Sequence, residues 1–435
     1  MTPRTITIKK EDFRLLYSQQ LNLKNNEVIN KLGSIADVFR KFLENEAIIS
    51  PISDKKLINY FEKCINPNEE VESIKNTLLE IAPGNGKVGF RQVNFLTNYV
   101  RNKTLSHIHK NNNNLKLLLH DHAFGSGGDL IKTIHATTMA SIIVSPLIRI
   151  CKTGTGNVTS LHGSYQAIKA FGYNEKGIDI KAINESLEKY NFAYITLSEL
   201  GFPYSNNLKQ ARIELWEENL KTLEYNYQNQ QNNWHSTVRN LDLPISIDIF
   251  KIIAPNAQLL NPVNHTTGIS HIGMLPYVIG IYLELGSTGI IVHSYEGIDE
   301  ISNAYRDVQE ERPNNLLIKI DLDSIKILEF SPEDISLKRV PINQIEEQKE
   351  IETERDLFYR ILTNENTYEI QGKRDFILAN AASILVANNA FLLKEKDLIE
   401  QIQECISKVN YLINSGKSYD NFRRMINISK IELDS

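Results

Sequence analysis

From Leu115 onward, short apolar runs, many of them β-branched, alternate with segments of helical spacing. The runs cover residues 115–119, 148–151, 192–197, 277–282, 290–293 and 316–321. That alternation predicts strands packed between helices in an α/β unit. The preceding hundred or so residues read as helical. Ile35, Ala36, Val38, Phe39, Phe42 and Leu43 share one helical face, and Ser53-Asp54 opens a helix through Leu57, Ile58, Tyr60 and Phe61. Residues 71–81 and 93–100 continue in the same style, with Pro83-Gly84-Asn85-Gly86 as a break and 111–114 as a polar hinge. The expected organisation is an N-terminal helical domain over 1–113, its first 30 residues an extension, and an α/β domain over 114–435.

Two stretches depart from strict alternation. Residues 203–245 carry a charged helical segment with Trp216 and then a Gln/Asn-rich tract. They read as an insertion, most simply a solvated helical excursion, alternatively a lid or contact arm. Residues 374–428 are helical and rich in Ala, Leu, Glu and Lys.

Composition narrows the class. The chain has 435 residues, with 41% hydrophobic and 23% charged side chains, as in ordinary globular proteins. A net charge of −5 argues against a general nucleic-acid binder. Three widely spaced cysteines make no disulfide framework, so a reducing compartment is expected. The first residues lack the apolar core of a signal peptide, and no apolar run reaches the ~18 residues of a membrane span. The cytoplasm is the expected location, with no membrane partner.

The chemistry gathers in three places. Phe124-Gly125-Ser126-Gly127-Gly128-Asp129 lies between an apolar run and an apolar helical segment, with Thr133, His135, Thr137 and Thr138 following. Strand, glycine turn and helix present backbone N–H groups and a positive helix end to a phosphate. Residues 152–164 follow the next strand and hold one lysine, three glycines and five hydroxyl side chains. Lysine supplies a point charge there, and hydroxyls and backbone supply direction. Asp299-Glu300 follows a third strand; adjacent carboxylates at a strand end can share Mg²⁺ with substrate phosphates. Each has a plainer reading alone: a tight turn, an ordinary loop, an acidic helix start. Two such loops separated by one helix are much less expected by chance.

These segments resemble anthranilate phosphoribosyltransferase and its nucleoside phosphorylase relatives. Lys152 to Ser164 aligns without a gap on the family's Lys-His-Gly-Asn-Arg-Ser-x-Ser-Ser-x-Ser-Gly-Ser loop. Gly297-Ile298-Asp299-Glu300-Ile301-Ser302 is similar to its Gly-Leu-Asp-Glu-Ile-Ser segment. Leu259-Leu260-Asn261-Pro262, Ser331-Pro332-Glu333-Asp334, Arg374-Asp375, Asn380-Ala381-Ala382 and Ser415-Gly416-Lys417 match in order. The resemblance implies a small helical domain facing an α/β domain, whose mixed central sheet is flanked by helices, and a homodimer. It also implies transfer of the phosphoribosyl group from phosphoribosyl diphosphate, as in tryptophan biosynthesis. Carried over, the diphosphate substrate would be contacted by Gly125, Gly128, Asp129, Thr133, His135, Thr137, Thr138, Lys152, Thr159, Ser160 and Ser164. Thr137, Asp299 and Glu300 would ligate Mg²⁺. No acid–base residue is required.

The acceptor half departs from the family. Thr153 and Thr155 replace the loop His and Asn, Gly156 and Asn157 replace its Arg and Ser, and Ser246 stands nearest the place of a later Arg. With Gly125, the positions Thr153, Thr155 and Ser246 would form the acceptor site. Lys251 and Arg239 are the nearby cations. In the first loop Leu130 replaces a Gly and His135 an Asn. The expectation is an anthranilate-type transferase with a different or differently held acceptor. A nucleoside phosphorylase and a non-catalytic nucleic-acid binder are the alternatives. His107/His109 and His120/His122 read as junction residues rather than metal ligands, His265 and His271 as weak acceptor-site candidates, and the 398–413 stripe as core or dimer packing.

Overall fold

The computed structural model describes residues 3, 5–18, 23–83, 85–111, 116–154, 156, 161–173, 179–196, 205–229, 249–250, 262–309, 313–365, 367–388 and 396–426. In chain order these form β1 (Ile6–Lys9), α1 (Lys10–Tyr17), α2 (Leu23–Lys31), α3 (Ala36–Ala47), α4 (Asp54–Ile65), α5 (Val71–Glu80) and α6 (Phe90–Asn111). Then come β2 (Asp121–Gly125), α7 (Ala136–Val144), β3 (Ile150–Gly154), α8 (Ser164–Ala170), α9 (Ile180–Tyr190), β4 (Phe192–Thr196) and α10 (Asn206–Asn229). The rest is β5 (His265–Gly268), α11 (Leu275–Leu285), β6 (Gly289–Ser294), β7 (Ala304–Tyr305), β8 (Asn315–Ile320), β9 (Ser324–Phe330), β10 (Val340–Pro341), α12 (Ile351–Leu362), α13 (Tyr368–Ala387), α14 (Leu398–Asn414) and α15 (Lys417–Ile426).

Eight strands make one mixed sheet in the order β1-β9-β8-β6-β5-β2-β3-β4. The half from β6 to β4 is parallel, and β8, β9 and β1 add antiparallel. One face packs on α7, α13, α14 and α15 through Met139, Ile143, Phe376, Leu385 and Ile402. The other carries α11 and the N-terminal helices, where Phe39, Phe61, Val278, Ile318 and Ile327 belong to one apolar cluster. The expected mixed sheet with flanking helices is therefore present.

Local chemistry explains the ends. Ser53 Oγ accepts from Lys56 N at 3.3 Å and starts α4. Asp397 and Glu400 form a reciprocal box at the start of α14.

Several expectations shift. Residues 277–282, expected as a strand, lie inside α11; the run is apolar on every side and buried, so its period cannot separate strand from helix. Pro276 in its first turn and Gly286, at φ 65 just past its end, mark the helix. The strand expected over 115–119 instead runs Asp121–Gly125, and β3 starts two residues later than expected and takes in Lys152 and Thr153. The N-terminal region is not purely helical: Ile6–Lys9 pairs with β9, its alternating Ile6 and Ile8 matching a sheet edge. Residues Asn206–Asn229, within the segment expected to be an insertion, form α10, whose Leu208, Ala211 and Leu215 are buried with the N-terminal helices, so this helix is docked rather than solvated. Residues 230–248 and the 112–114 hinge lie outside the described residues. Among the described residues, no helix is long and apolar enough to cross a membrane. The three cysteines are free and buried.

Gly289 has φ 141, and a Cβ there would lie 2.0 Å from His265 O. Gly289→Ala is expected to lower unfolding free energy by about 2–4 kcal/mol in urea denaturation. Gly286→Asn, where φ is +65 and the space is open, is expected to lower it by less than about 1 kcal/mol.

Candidate functional site

The turns after β2, β5 and β6 meet at the carboxyl ends of the parallel strands, the usual ligand position in open α/β sheets. Gly125 of β2 is in register with Gly268 of β5. A Cβ on Gly268 would fall 1.7 Å from Asp299 O, and one on Gly125 would fall 2.8 Å from Asp299 Oδ2. The acidic turn after β6 therefore sits on a floor of two bare glycines. Gly127 N donates to Asp299 Oδ2 at 2.5 Å, and Asp299 N donates to Asp129 Oδ1 at 2.8 Å. Gly127 and Gly128 adopt φ 63 and 77, which only glycine reaches readily. Leu130 N closes the contact on Gly297 O at 2.9 Å.

Helix α7 begins against the same turn. Thr137 donates to Glu300 Oε1 from its backbone N at 3.3 Å and from Oγ1 at 3.0 Å, and Thr133 Oγ1 reaches Glu300 Oε2 at 3.5 Å. Asp299 and Glu300 are buried. Burial pushes the Glu300 carboxyl well above its usual range, and Asp299 and Asp129 push it further, against the Thr137 bonds. Lys152, buried on β3, is the opposing cation. Burial lowers its ammonium to about 8, while Asp299 and Glu300 pull it back up. Its Nζ donates to Thr153 O at 2.5 Å. Adjacent buried carboxylates with the Thr137 hydroxyl are the oxygen set a hard divalent cation takes. Among the described residues no three His, Cys, Asp or Glu side chains form a ready cage, so waters or phosphate oxygens would complete the shell.

His135, at the foot of α7, links three segments. Its backbone N and Nδ1 lie 2.7 and 2.8 Å from Glu354 Oε1, and Nε2 lies 3.1 Å from His162 O. Burial would lower its pKa, but the Glu354 charge and hydrogen bond outweigh that and raise it. Leu161 N and His162 N donate to Glu347 at 3.1 and 2.8 Å, which pins this end of the second loop. Ser164 stands over the end of β3: a Cβ on Gly154 would meet its Oγ at 1.8 Å, and that Oγ is 2.9 Å from Tyr194 OH.

The sequence-derived positions fall into four groups. Asp129, Thr133, Thr137, Asp299 and Glu300 come into direct contact, Gly125 and Gly128 form the turn beside them, and Lys152 faces the carboxylates. His135 immediately precedes α7, on which Thr137 sits and Thr138 is buried, and Ser164 stands over the end of β3. Thr153 is buried with His122, whose Nε2 is 2.8 Å from its Oγ1, and His122 Nδ1 is 3.2 Å from His265 Nδ1. Thr155, Thr159, Ser160 and Ser246, with Arg239 and Lys251, lie outside the described residues. Asp129 does not cap α7, and Asp299-Glu300 opens no helix. His271 accepts from Gly273 N at 3.0 Å and shapes its own turn.

Three participants were not anticipated. Gly268 gives Asp299 its room, and its signal was a glycine ending the short polar run His265-Thr266-Thr267. Ser270 donates to Gly127 O at 2.8 Å. Glu354 comes from a distant helix, 219 residues from His135 in sequence, and local pattern carries no sign of it.

Comparison with known proteins places the chain among the following similar sequences and folds. Residues 249–419 match the model of a glycosyl transferase family, a/b domain. An anthranilate phosphoribosyltransferase of Methanosphaera stadtmanae is 29% identical over 308 residues, covering 70% of this chain and 76% of that protein. That of Picrophilus torridus is 26% identical over 306 residues, covering 70% and 76%. In fold, the chain is similar to the Thermus thermophilus anthranilate phosphoribosyltransferase, with TM-score 0.60 and 15% identity over 90% of this chain and 98% of that one. The Saccharomyces cerevisiae enzyme, solved in complex with PRPP and Mg, gives TM-score 0.54 and 14% identity over 86% and 98%.

The buried histidine pair predicts an acid-sensitive fold. Burial, with nearby cationic groups, lowers His265 from 6.5 to about 3, and burial with His265 lowers His122 well below its usual range. Unfolded histidines take protons near pH 6.5 while the folded pair stays neutral, so this stability is complete above 6.5 and falls as pH drops toward 3. Urea denaturation should lose on the order of 1–3 kcal/mol between pH 7 and 4.5, and His265→Asn should flatten that slope.

Proposed function

We propose that this chain, an anthranilate phosphoribosyltransferase-like protein of the glycosyl transferase family, transfers the 5-phosphoribosyl group of phosphoribosyl diphosphate to an aromatic amine or related nitrogen acceptor in an Mg²⁺-dependent reaction. The observation that carries the reading is the buried Asp299-Glu300 turn seated on the Gly125/Gly268 floor. Two buried carboxylates beside half-buried Asp129 outnumber the single Lys152 cation, and a divalent cation would offset the remaining charge. The residues fit Mg²⁺: Thr137, Asp299 and Glu300 would hold it, with substrate oxygens and water. Mg²⁺ there would neutralise the departing diphosphate.

The chain's own groups do the remaining work. The backbone of the 125–129 turn, with Gly125, Gly128 and Asp129, and the start of α7, with Thr133, His135, Thr137 and Thr138, bind and orient the diphosphate. Lys152, Thr159, Ser160 and Ser164 bind the other phosphate and the ribosyl part. At the anomeric carbon the C–O bond to diphosphate breaks, and a C–N bond forms to the acceptor, whose nitrogen then releases a proton. The transition state resembles an oxocarbenium ion, so fixed donors and charges suffice and no side chain needs to act as acid or base.

Gly125, Thr153, Thr155 and Ser246 are proposed to line the acceptor site. A buried Thr153 bonded to a neutral His122 offers no charge to a carboxylate, so anthranilate itself would be held differently or replaced by another amine. The acidic pair also disfavours phosphorolysis with inorganic phosphate. A cytoplasmic homodimer is the expected assembly.

Turnover should be measured with phosphoribosyl diphosphate and Mg²⁺ against a panel of aromatic amines including anthranilate, with a parallel arm of nucleosides and inorganic phosphate. Amine-dependent release of diphosphate is expected in the first arm. Activity in the nucleoside arm alone would overturn the reading. Glu300→Gln should lower the rate by about a hundredfold. Gly268→Ala should abolish it, because its methyl group cannot share space with Asp299 O.

A further inference from the structure

Helix α10 stands between the N-terminal helices and the glycine turn. On one side Lys75 of α5 pairs with Glu214 and Glu218, each at 3.2 Å, and Asn207 Nδ2 donates to Glu69 O at 2.8 Å. Leu208, Ala211 and Leu215 bury that contact. On the other side the Trp216 ring faces Lys132, with Nζ 4.2 Å from the ring centroid. The same Nζ donates to Asp129 O at 2.7 Å. Asp129 in turn accepts from Asp299 N. A continuous set of contacts thus runs from the N-terminal helices through Trp216 and Lys132 to the acidic turn.

That path lands where the backbone most needs support. Three of the five residues from Gly125 to Asp129 are glycine, and two of them are at positive φ. Glycine loses more conformational freedom on folding than any other residue. The lysine that holds the Asp129 carbonyl also has many rotamers to lose. An indole face under the ammonium limits those rotamers and adds cation–π attraction. We infer that Trp216 is a positioning residue for the diphosphate site, fixing the end of the glycine turn through Lys132 and tying that turn to the N-terminal helices through α10. The inference rests on the proposed phosphoribosyl diphosphate site. It gives α10 a role at that site.

The test is calorimetric titration of phosphoribosyl diphosphate with Mg²⁺ into the full chain and three variants, alongside steady-state kinetics. Trp216→Ala and Lys132→Met are each expected to weaken binding about tenfold. The KM for phosphoribosyl diphosphate should rise in parallel, with the KM for the acceptor unchanged. Trp216→Phe keeps a ring face and should restore binding to within about twofold of the parent chain. If the parent chain binds and both Trp216→Ala and Lys132→Met match it, the positioning role is overturned while the functional reading stands. If the parent chain binds no phosphoribosyl diphosphate, the functional reading fails and the positioning role with it.

Discussion

The structure depends on one close approach: Asp299 lies on Gly268 and Gly125 with no side chain between. Any Cβ at Gly268 would overlap the Asp299 carbonyl. That contact lets Gly127 N reach the Asp299 carboxylate and Asp299 N reach Asp129. It also brings Glu300 under the first turn of α7, where Thr137 meets it twice. Three carboxylates are thereby gathered at the ends of parallel strands, with Lys152 buried opposite. The sheet order matters here, because β5 lies between β2 and β6 and ends in the glycine that admits the acidic turn.

Much of this was legible in the sequence, for physical reasons. Glycines followed by threonines, a lysine opening a hydroxyl-rich loop, and adjacent carboxylates each mark anion or cation chemistry. Their order along alternating strands and helices places them at one sheet edge. The strands at 192–196 and 289–294 were legible because β-branched and aromatic residues dominate them. Strand β5 was not, because His265-Thr266-Thr267-Gly268 is short and polar and is buried only by its neighbours. Helix α11 misled because a helix that is apolar all round carries no period. Glu354 and Trp216 act across long sequence separations, and the fold alone brings them to His135 and Lys132.

The site is uneven in its chemistry. The side proposed to take the diphosphate concentrates charge and backbone donors, whereas the described part of the proposed acceptor side holds a buried threonine and two neutral histidines. The two proposed halves draw on different turns, so one can change while the other is kept. The proposed donor half comes from the turns after β2 and β6 and from α7, and Thr153 from β3. The inferred brace from α10 ends on the carbonyl of Asp129, within the proposed donor half.

The most direct measurement is a crystal structure with phosphoribosyl diphosphate and Mg²⁺. The account predicts diphosphate oxygens against the backbone N–H groups of the 125–129 turn and the metal beside Asp299 and Glu300. Diphosphate bound away from that turn, or a metal that leaves both carboxylates untouched, would contradict it.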